Sequence, residues 1–367
     1  MRILFDKQIF LLQNFGGISR YFGEIFKMNG GDVQVQRIDI IDSKKENIRP
    51  VSGDIFSRGI RYFKRKAGLE IIKPDPNIEQ AQWTISKSDF DIFHPTYYDN
   101  YFIEHLKGPF VITVYDMIHE LYREYFSLSD RTSSNKKELC EKASAVITIS
   151  DTTKSDLINI FRIDEEKVHS IHLASDFNKV AAVRPSSFDG FENYILFTGT
   201  RWAYKNFYFT LLALRDILKQ DSSLQLVCTG HEFGADEIQY FSDLGLTSQV
   251  KHLYLDNDNE LAWVYRHARL FIFPSLYEGF GFPLLEAFAS DCPVVSSNRG
   301  SLKEIGGNAP IYFEPKNIKE IQSAVSCALY DNEVRIRMIE EGRRQFSKFS
   351  WEKCRLQTKN VYTSMLH

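Results

Sequence analysis

The sequence predicts an α/β protein built from two doubly wound domains that face a central cleft. Three observations carry that expectation. The chain has 367 residues, more than one hydrophobic core usually serves. Short runs rich in Val, Ile and Phe alternate with longer amphipathic stretches, the pattern of strands buried in parallel sheets and covered by helices. These runs fall into two series, separated by the stretch 183–190, VRPSSFDG, whose Pro, Gly and small polar residues read as a linker.

In the first series strands are expected at 3–5, 33–38, 92–93, 111–115, 145–149 and 168–171, with helices at 19–28, 131–142 and 152–161. The second series opens at Tyr194 with YILFTGT. It continues at 224–229, 250–255, 270–274 and 293–296, with helices at 207–219, 259–267 and 283–289. A closing helix is expected over 351–366. Two such domains leave a cleft at the carboxyl ends of their strands, where open α/β sheets bind ligands.

Composition narrows the function classes. The chain is 43% hydrophobic and 25% charged, with a net charge of −3, so nothing draws it to nucleic acid. Five cysteines, Cys140, Cys228, Cys292, Cys327 and Cys354, are scattered and odd in number, which argues against a disulfide framework or zinc site and for a reducing compartment. The N-terminus MRILFDKQIF has no separate apolar region with a cleavage site, and no apolar run approaches a membrane span, so a cytoplasmic protein is expected.

The densest chemical signal is PSLYEGFGFPLLEAFA, residues 274–289. An apolar strand ends at Pro274, and Pro283 suits the first position of a helix. The loop between them carries Gly279 and Gly281, which let backbone N–H groups of Phe280 and Phe282 approach a ligand. With the following helix N-terminus they would form a place for a pyrophosphate. Glu278 falls in the loop and Glu286 in the first helical turn, so separate roles are expected. A plain alternative is that Glu286 only complements the helix dipole. A second element, TGTRWAYKN at 198–206, follows the first strand of the second series. It places Arg201 and Lys205, after Gly199, just ahead of a helix N-terminus. The dipole there opposes positive charge, and a bound anion would reverse that cost.

Together these motifs resemble the retaining glycosyltransferases of family 4. The shared features are the Glu-x7-Glu spacing of Glu278 and Glu286 around GFGFP, and the strand-Gly-x-Arg…Lys-Asn element upstream. The Gly16-Gly17-Ile18 loop, the stretch from Pro293 to Glu304 and the closing Phe349-Ser-Trp351-Glu segment also match. The resemblance implies the GT-B fold, two Rossmann-like domains: an acceptor domain, 1–183, rejoined by 349–367, and a nucleotide-sugar donor domain, 184–348. It implies that Arg201 and Lys205 neutralise the donor pyrophosphate, Glu286 holds the ribose hydroxyls and Glu278 holds the transferred sugar. Backbone of Gly199 and of Gly279 to Phe282 would line the donor, and Gly16 and Gly17 would keep the facing loop thin. Transfer with retention and without a metal or other cofactor is implied, the cations doing what a metal does elsewhere. The family often carries His-Asp where this chain reads Tyr115-Asp116. Asp116 is therefore expected at the site, while His119, and equally His94, stands open between a cleft residue and a packing one.

Other readings compete. Asp256-Asn-Asp258 spells a D-x-D metal motif, explained more simply as a helix cap. A GT-B epimerase or a silent nucleotide-binding protein is the other alternative. The expected partners are a nucleotide-sugar donor, GDP-mannose ahead of a UDP-sugar, and a glycan or lipid-linked acceptor in O-antigen or capsule synthesis. The stretch 43–73 holds nine Lys or Arg against three acidic residues, interleaved with Ile, Tyr and Phe. It reads equally as a peripheral membrane contact or a solvated loop.

Overall fold

The computed structural model describes residues 1–12, 16–38, 76–87, 89–188, 190 and 192–366. The basic stretch 43–73 lies outside them. In the N-terminal half, β1 (Arg2–Phe5) pairs in parallel with β2 (Gln34–Arg37) on one side and β3 (Ile92–His94) on the other. A bridge between Phe93 and Phe110 links β3 to the parallel group β4 (Val111–Val114), β5 (Ala145–Thr148) and β6 (Val168–Ser170). In the C-terminal half, β7 (Tyr194–Phe197), β8 (Gln225–Thr229), β9 (Val250–Leu253), β10 (Leu270–Phe273), β11 (Val294–Ser297) and β12 (Ile311–Phe313) form one parallel sheet. Its order is 12-11-10-7-8-9.

The strands are legible because they are dry. Every residue of β4 (VITV) and β10 (LFIF) is buried, as expected for parallel strands covered on both faces. β12 was not among the expected strands. It has only three residues, too few to display a period.

The two halves are closely packed. Glu304 accepts hydrogen bonds from the N–H groups of Asp151 and Thr152, at 2.7 and 2.9 Å, and lies 2.5 Å from His172 Nε2. It thus caps the helix Asp151–Phe161 from across the boundary. Tyr277 donates to Asp156 at 2.6 Å, and Tyr122 to the Leu276 carbonyl at 3.0 Å. The closing helix Trp351–Ser364 returns to the N-terminal half, where Arg355 meets Glu24 at 2.9 Å and Tyr362 meets His94 at 2.6 Å. His94 is therefore a core residue. It is fully buried between Tyr362 and Thr113, and burial pushes its pKa down to about 3. Among the described residues no helix is long and apolar enough to cross a membrane.

Candidate active site in the interdomain cleft

Strand order in the C-terminal sheet reverses between β7 and β10, so the loops leaving these neighbours diverge and open a crevice. The 198–206 loop leaves β7 and the 274–281 loop leaves β10. The two are tied together: Leu276 N–H donates to the Tyr204 carbonyl at 2.7 Å, and the Asn206 amide donates to the Pro274 and Pro315 carbonyls at 3.3 and 2.8 Å. Asn206 sits at φ 58°, a left-handed conformation that Asn tolerates better than most residues. Between this wall and the N-terminal half lies a cavity of about 1110 Å³, lined among others by Gly16, Arg20, Gly199, Lys205, Asp258 and Glu286.

Lys205 and Glu278 meet at 2.6 Å, and the Ser275 hydroxyl donates to the same carboxylate oxygen, also at 2.6 Å. Burial works against the Lys205 charge, but Glu278 and neighbouring groups more than restore it, leaving the ammonium above its usual pKa. A cation is thus held ready at the cleft wall with its counter-charge on the adjoining loop.

Glu286 is the fifth residue of the helix Phe282–Ala289, one residue deeper than expected because the helix starts at Phe282. Its carboxylate is therefore past the free N–H groups and faces the cleft instead of complementing the dipole. Arg20 lies 3.3 Å from it and also reaches Asp258 at 3.1 Å, and the Tyr265 hydroxyl stands 3.4 Å away. Burial raises the Glu286 pKa and Arg20 opposes the rise. Arg20 is not evident from the sequence as a ligand group, while Asp258 reads there as part of a D-x-D metal motif or a helix cap. Arg20 follows Gly16 by four residues on the helix Gly17–Ile25, so that one-turn spacing behind the glycine loop was the available signal.

Arg201 corrects an expectation. Its side chain turns out of the cleft, pairs with Glu237 at 2.6 Å and donates to the His231 and Glu232 carbonyls at 2.7 and 3.0 Å. It stacks over the Phe233 ring at 4.7 Å. Among the described residues the cations lining the cavity are Arg20 and Lys205.

Two of the glycines stand at contacts between the halves. A Cβ on Gly279 would lie 1.8 Å from the Tyr115 carbonyl oxygen, and one on Gly17 would lie 2.8 Å from the Phe282 ring. Both are small so that the two halves can touch. Gly281, at φ 101°, caps the helix that carries Glu286, and Gly199, at φ 92°, has open space beside it. Because Gly279 abuts Tyr115 and Asp116, the Asp116 loop is brought against the Glu278 loop.

Comparison with known proteins accounts for this arrangement. Residues 181–345 match the family model for glycosyl transferases group 1, and residues 50–179 match that for glycosyltransferase family 4. The chain belongs to the family 4 glycosyltransferases. It is 28% identical over 277 residues to the O-antigen chain mannosyltransferase B of Escherichia coli, covering 72% of each chain. It is 29% identical to the O-antigen chain mannosyltransferase RfbU of Salmonella typhimurium, over 58% of this chain and 59% of that one. Its fold matches Anabaena HepE in complex with UDP and glucose, at a TM-score of 0.72 and 17% identity, over 99% of this chain and 100% of that one. The architecture is GT-B.

The remaining polar residues of this glycosyltransferase can now be placed. Tyr115, where the family often has histidine, is buried and satisfied: its hydroxyl donates to the Thr96 carbonyl at 3.0 Å, and its N–H to the Tyr98 hydroxyl at 2.9 Å. Asp116 accepts from the Ile118 N–H at 3.0 Å, and its own carbonyl accepts from Lys136 at 2.9 Å. Lys136 is fully buried with Glu120 at 2.9 Å, so the Asp116 loop rests on a fixed ion pair. His119 stacks on Phe126 with ring centres 3.9 Å apart, and burial depresses its pKa. Its Nδ1 is buried without a hydrogen-bond partner. In the D-x-D segment the middle residue does the capping: Asn257 accepts from the Asn259 and Glu260 N–H groups at 2.9 and 3.1 Å.

Proposed function

We propose that this protein is a retaining hexosyltransferase that moves a sugar, mannose from GDP-mannose ahead of a sugar from a UDP donor, onto a glycan or lipid-linked glycan during surface polysaccharide synthesis. The observation that carries the reading is that Lys205, Arg20 and Glu286 line the cavity at the C-terminal sheet's reversal point, with Glu278 paired to Lys205 at 2.6 Å. The O-antigen mannosyltransferase names of the relatives support mannose and the setting. The UDP in the structural neighbour leaves a UDP-sugar as the second donor.

The roles follow from charge and position. Lys205 neutralises the donor diphosphate, each charge-assisted contact contributing about 1.5–3 kcal/mol. The N-terminal end of the helix Phe282–Ala289, whose Pro283 lines the same cavity, adds a dipole that favours the anion. Glu286 exchanges Arg20 for the ribose hydroxyls, and the freed Arg20 supplies the second cation that Arg201 does not. Glu278 orients hydroxyls of the transferred sugar, and the departing phosphate takes the acceptor proton. In this reading no metal is needed.

The acceptor enters from the N-terminal half. A cavity of about 390 Å³ opens at the carboxyl ends of β1 and β3, lined by Asp6, Leu11, Tyr97, Tyr98 and Arg131 among others. Tyr97 stacks on Tyr115, the chain neighbour of Asp116, with ring centres 6.4 Å apart. In this reading the enzyme works in the cytoplasm, with an acceptor held at the inner membrane surface.

The test is a panel of GDP- and UDP-sugars with acceptors of defined structure, followed by the anomeric configuration of the product. Release of the nucleoside diphosphate that depends on acceptor, with configuration retained, is expected. An epimerised donor with no transfer would overturn the proposal.

A further inference from the structure

Resting on that reading, we propose that the enzyme holds a neutral glycan at a second site, outside the cleft, where the loop after β7 meets the loop after β8. The occupant is an inner segment of the acceptor chain, one or more sugars removed from the reacting end.

The pocket is built by the residue that left the cleft. Arg201 ties the 231–237 loop down through Glu237 and two backbone carbonyls. Its guanidinium lies between the Phe233 and Phe207 rings, at 4.7 and 5.9 Å. With Arg201 so held, its neighbour Trp202 faces outward and is 57% exposed, and Tyr208 is 41% exposed. These two aromatics and the 231–237 loop enclose an open pocket of about 460 Å³, inside the roughly 300–1,000 Å³ span of ordinary ligand sites.

Charge decides what fits there. The lining carries Glu232, Asp236 and Glu237 against the single guanidinium of Arg201. Glu237 already neutralises that guanidinium at 2.6 Å. The remaining carboxylates repel phosphate, so a nucleotide or phosphorylated lipid head is disfavoured. Carboxylates accept hydrogen bonds from sugar hydroxyls, and exposed Trp and Tyr faces offer amphipathic area at little entropic cost. A neutral polyhydroxyl chain satisfies both.

Position ties this pocket to the reaction. Gly199 lines the cleft and Thr200 to Trp202 line the pocket, on the two sides of one loop. Trp202 meets Phe126 of the N-terminal half edge-on at 6.1 Å, and Phe126 in turn stacks on His119. A glycan whose end lies in the cleft passes Phe126 and Trp202 to reach the pocket.

The experiment titrates α-linked manno-, gluco- and galacto-oligosaccharides of one to six units into the intact enzyme, with and without saturating GDP and UDP. Longer oligosaccharides of one series are expected to bind alongside nucleotide. Trp202→Ala and Tyr208→Ala should each weaken that binding about tenfold, with nucleotide affinity and transfer to a monosaccharide acceptor unchanged. Asp236→Asn, at the second residue of the helix Ala235–Leu244, should weaken it as well. Binding equal in all three variants and wild type overturns the proposal. So does competition between oligosaccharide and nucleotide, absence of binding for every series, or self-association that vanishes in Trp202→Ala, which would make the aromatics a contact between copies. Failure of the activity reading is separate: it would appear as no nucleotide release from any donor, while oligosaccharide binding still reports on the pocket.

Discussion

Replacing Gly279 by alanine puts a methyl group where the opposing backbone already is. The added Cβ would stand 1.8 Å from the Tyr115 carbonyl oxygen, 2.8 Å from its carbonyl carbon and 2.9 Å from Asp116 Cβ. Comfortable contact needs about 3.5 Å, so the two loops must part by roughly 1.5 Å. No rotamer relieves the clash, because the obstacle is main chain, and overpacking of this kind costs about 1–3 kcal/mol. The displaced elements are the ones that bring Asp116 against the Glu278 loop, and a misplacement near 1 Å costs about a hundredfold in rate. Lys205 and Glu286 lie on the C-terminal half, so nucleotide affinity should fall by no more than the Arg20 contact across the cleft supplies, about 1.5–3 kcal/mol. The assays are steady-state transfer, calorimetric titration with GDP and UDP, and small-angle scattering for the separation of the halves. Gly108→Ala is the control, since a Cβ there meets nothing within 4 Å and its backbone is not in the left-handed region. A Gly279→Ala enzyme with wild-type turnover and scattering would refute the reasoning.

Three other perturbations follow. Arg201→Ala should leave nucleotide affinity unchanged but destabilise the fold by about 3 kcal/mol, because it strands the part-buried Glu237; thermal unfolding beside calorimetry separates the two effects. Glu304 is opposed by burial, yet hydrogen bonds from His172, Asp151 and Thr152 hold its pKa below the ordinary 4.5. Its stabilising contribution is therefore full above pH 4.5 and is lost as pH falls through the depressed value. Glu304→Gln should flatten that part of the acid unfolding curve. Transfer should persist in EDTA, since Lys205 and Arg20 supply the positive charge. Complete loss in chelator, restored by Mn²⁺, would move the chemistry to a metal.

What the sequence made legible and what it hid divide along contact range. Runs such as VITV and LFIF announce dry parallel strands on their own, and Glu278, Glu286 and Lys205 announce a polar site because their motifs are local. Arg201 was misplaced because the direction of its side chain depends on Glu237, 36 residues away. Arg20 was missed because its partner Glu286 lies 266 residues further on. Gly279 looked like a ligand-facing glycine, and only the Tyr115 carbonyl of the other half shows why a side chain cannot stand there. Glu286 reads in the sequence as a ribose ligand or a dipole partner, and a helix that begins one residue earlier than expected turns it toward the cleft.

The central claim is that the cleft binds the donor's nucleoside diphosphate through Lys205 and Glu286. Titrating GDP and UDP into wild type, Lys205→Ala and Glu286→Gln tests it directly. The account predicts that one nucleotide binds wild type clearly more tightly, and that each variant loses about 1.5–3 kcal/mol, roughly ten- to hundredfold in Kd. Equal affinity in all three proteins would contradict it.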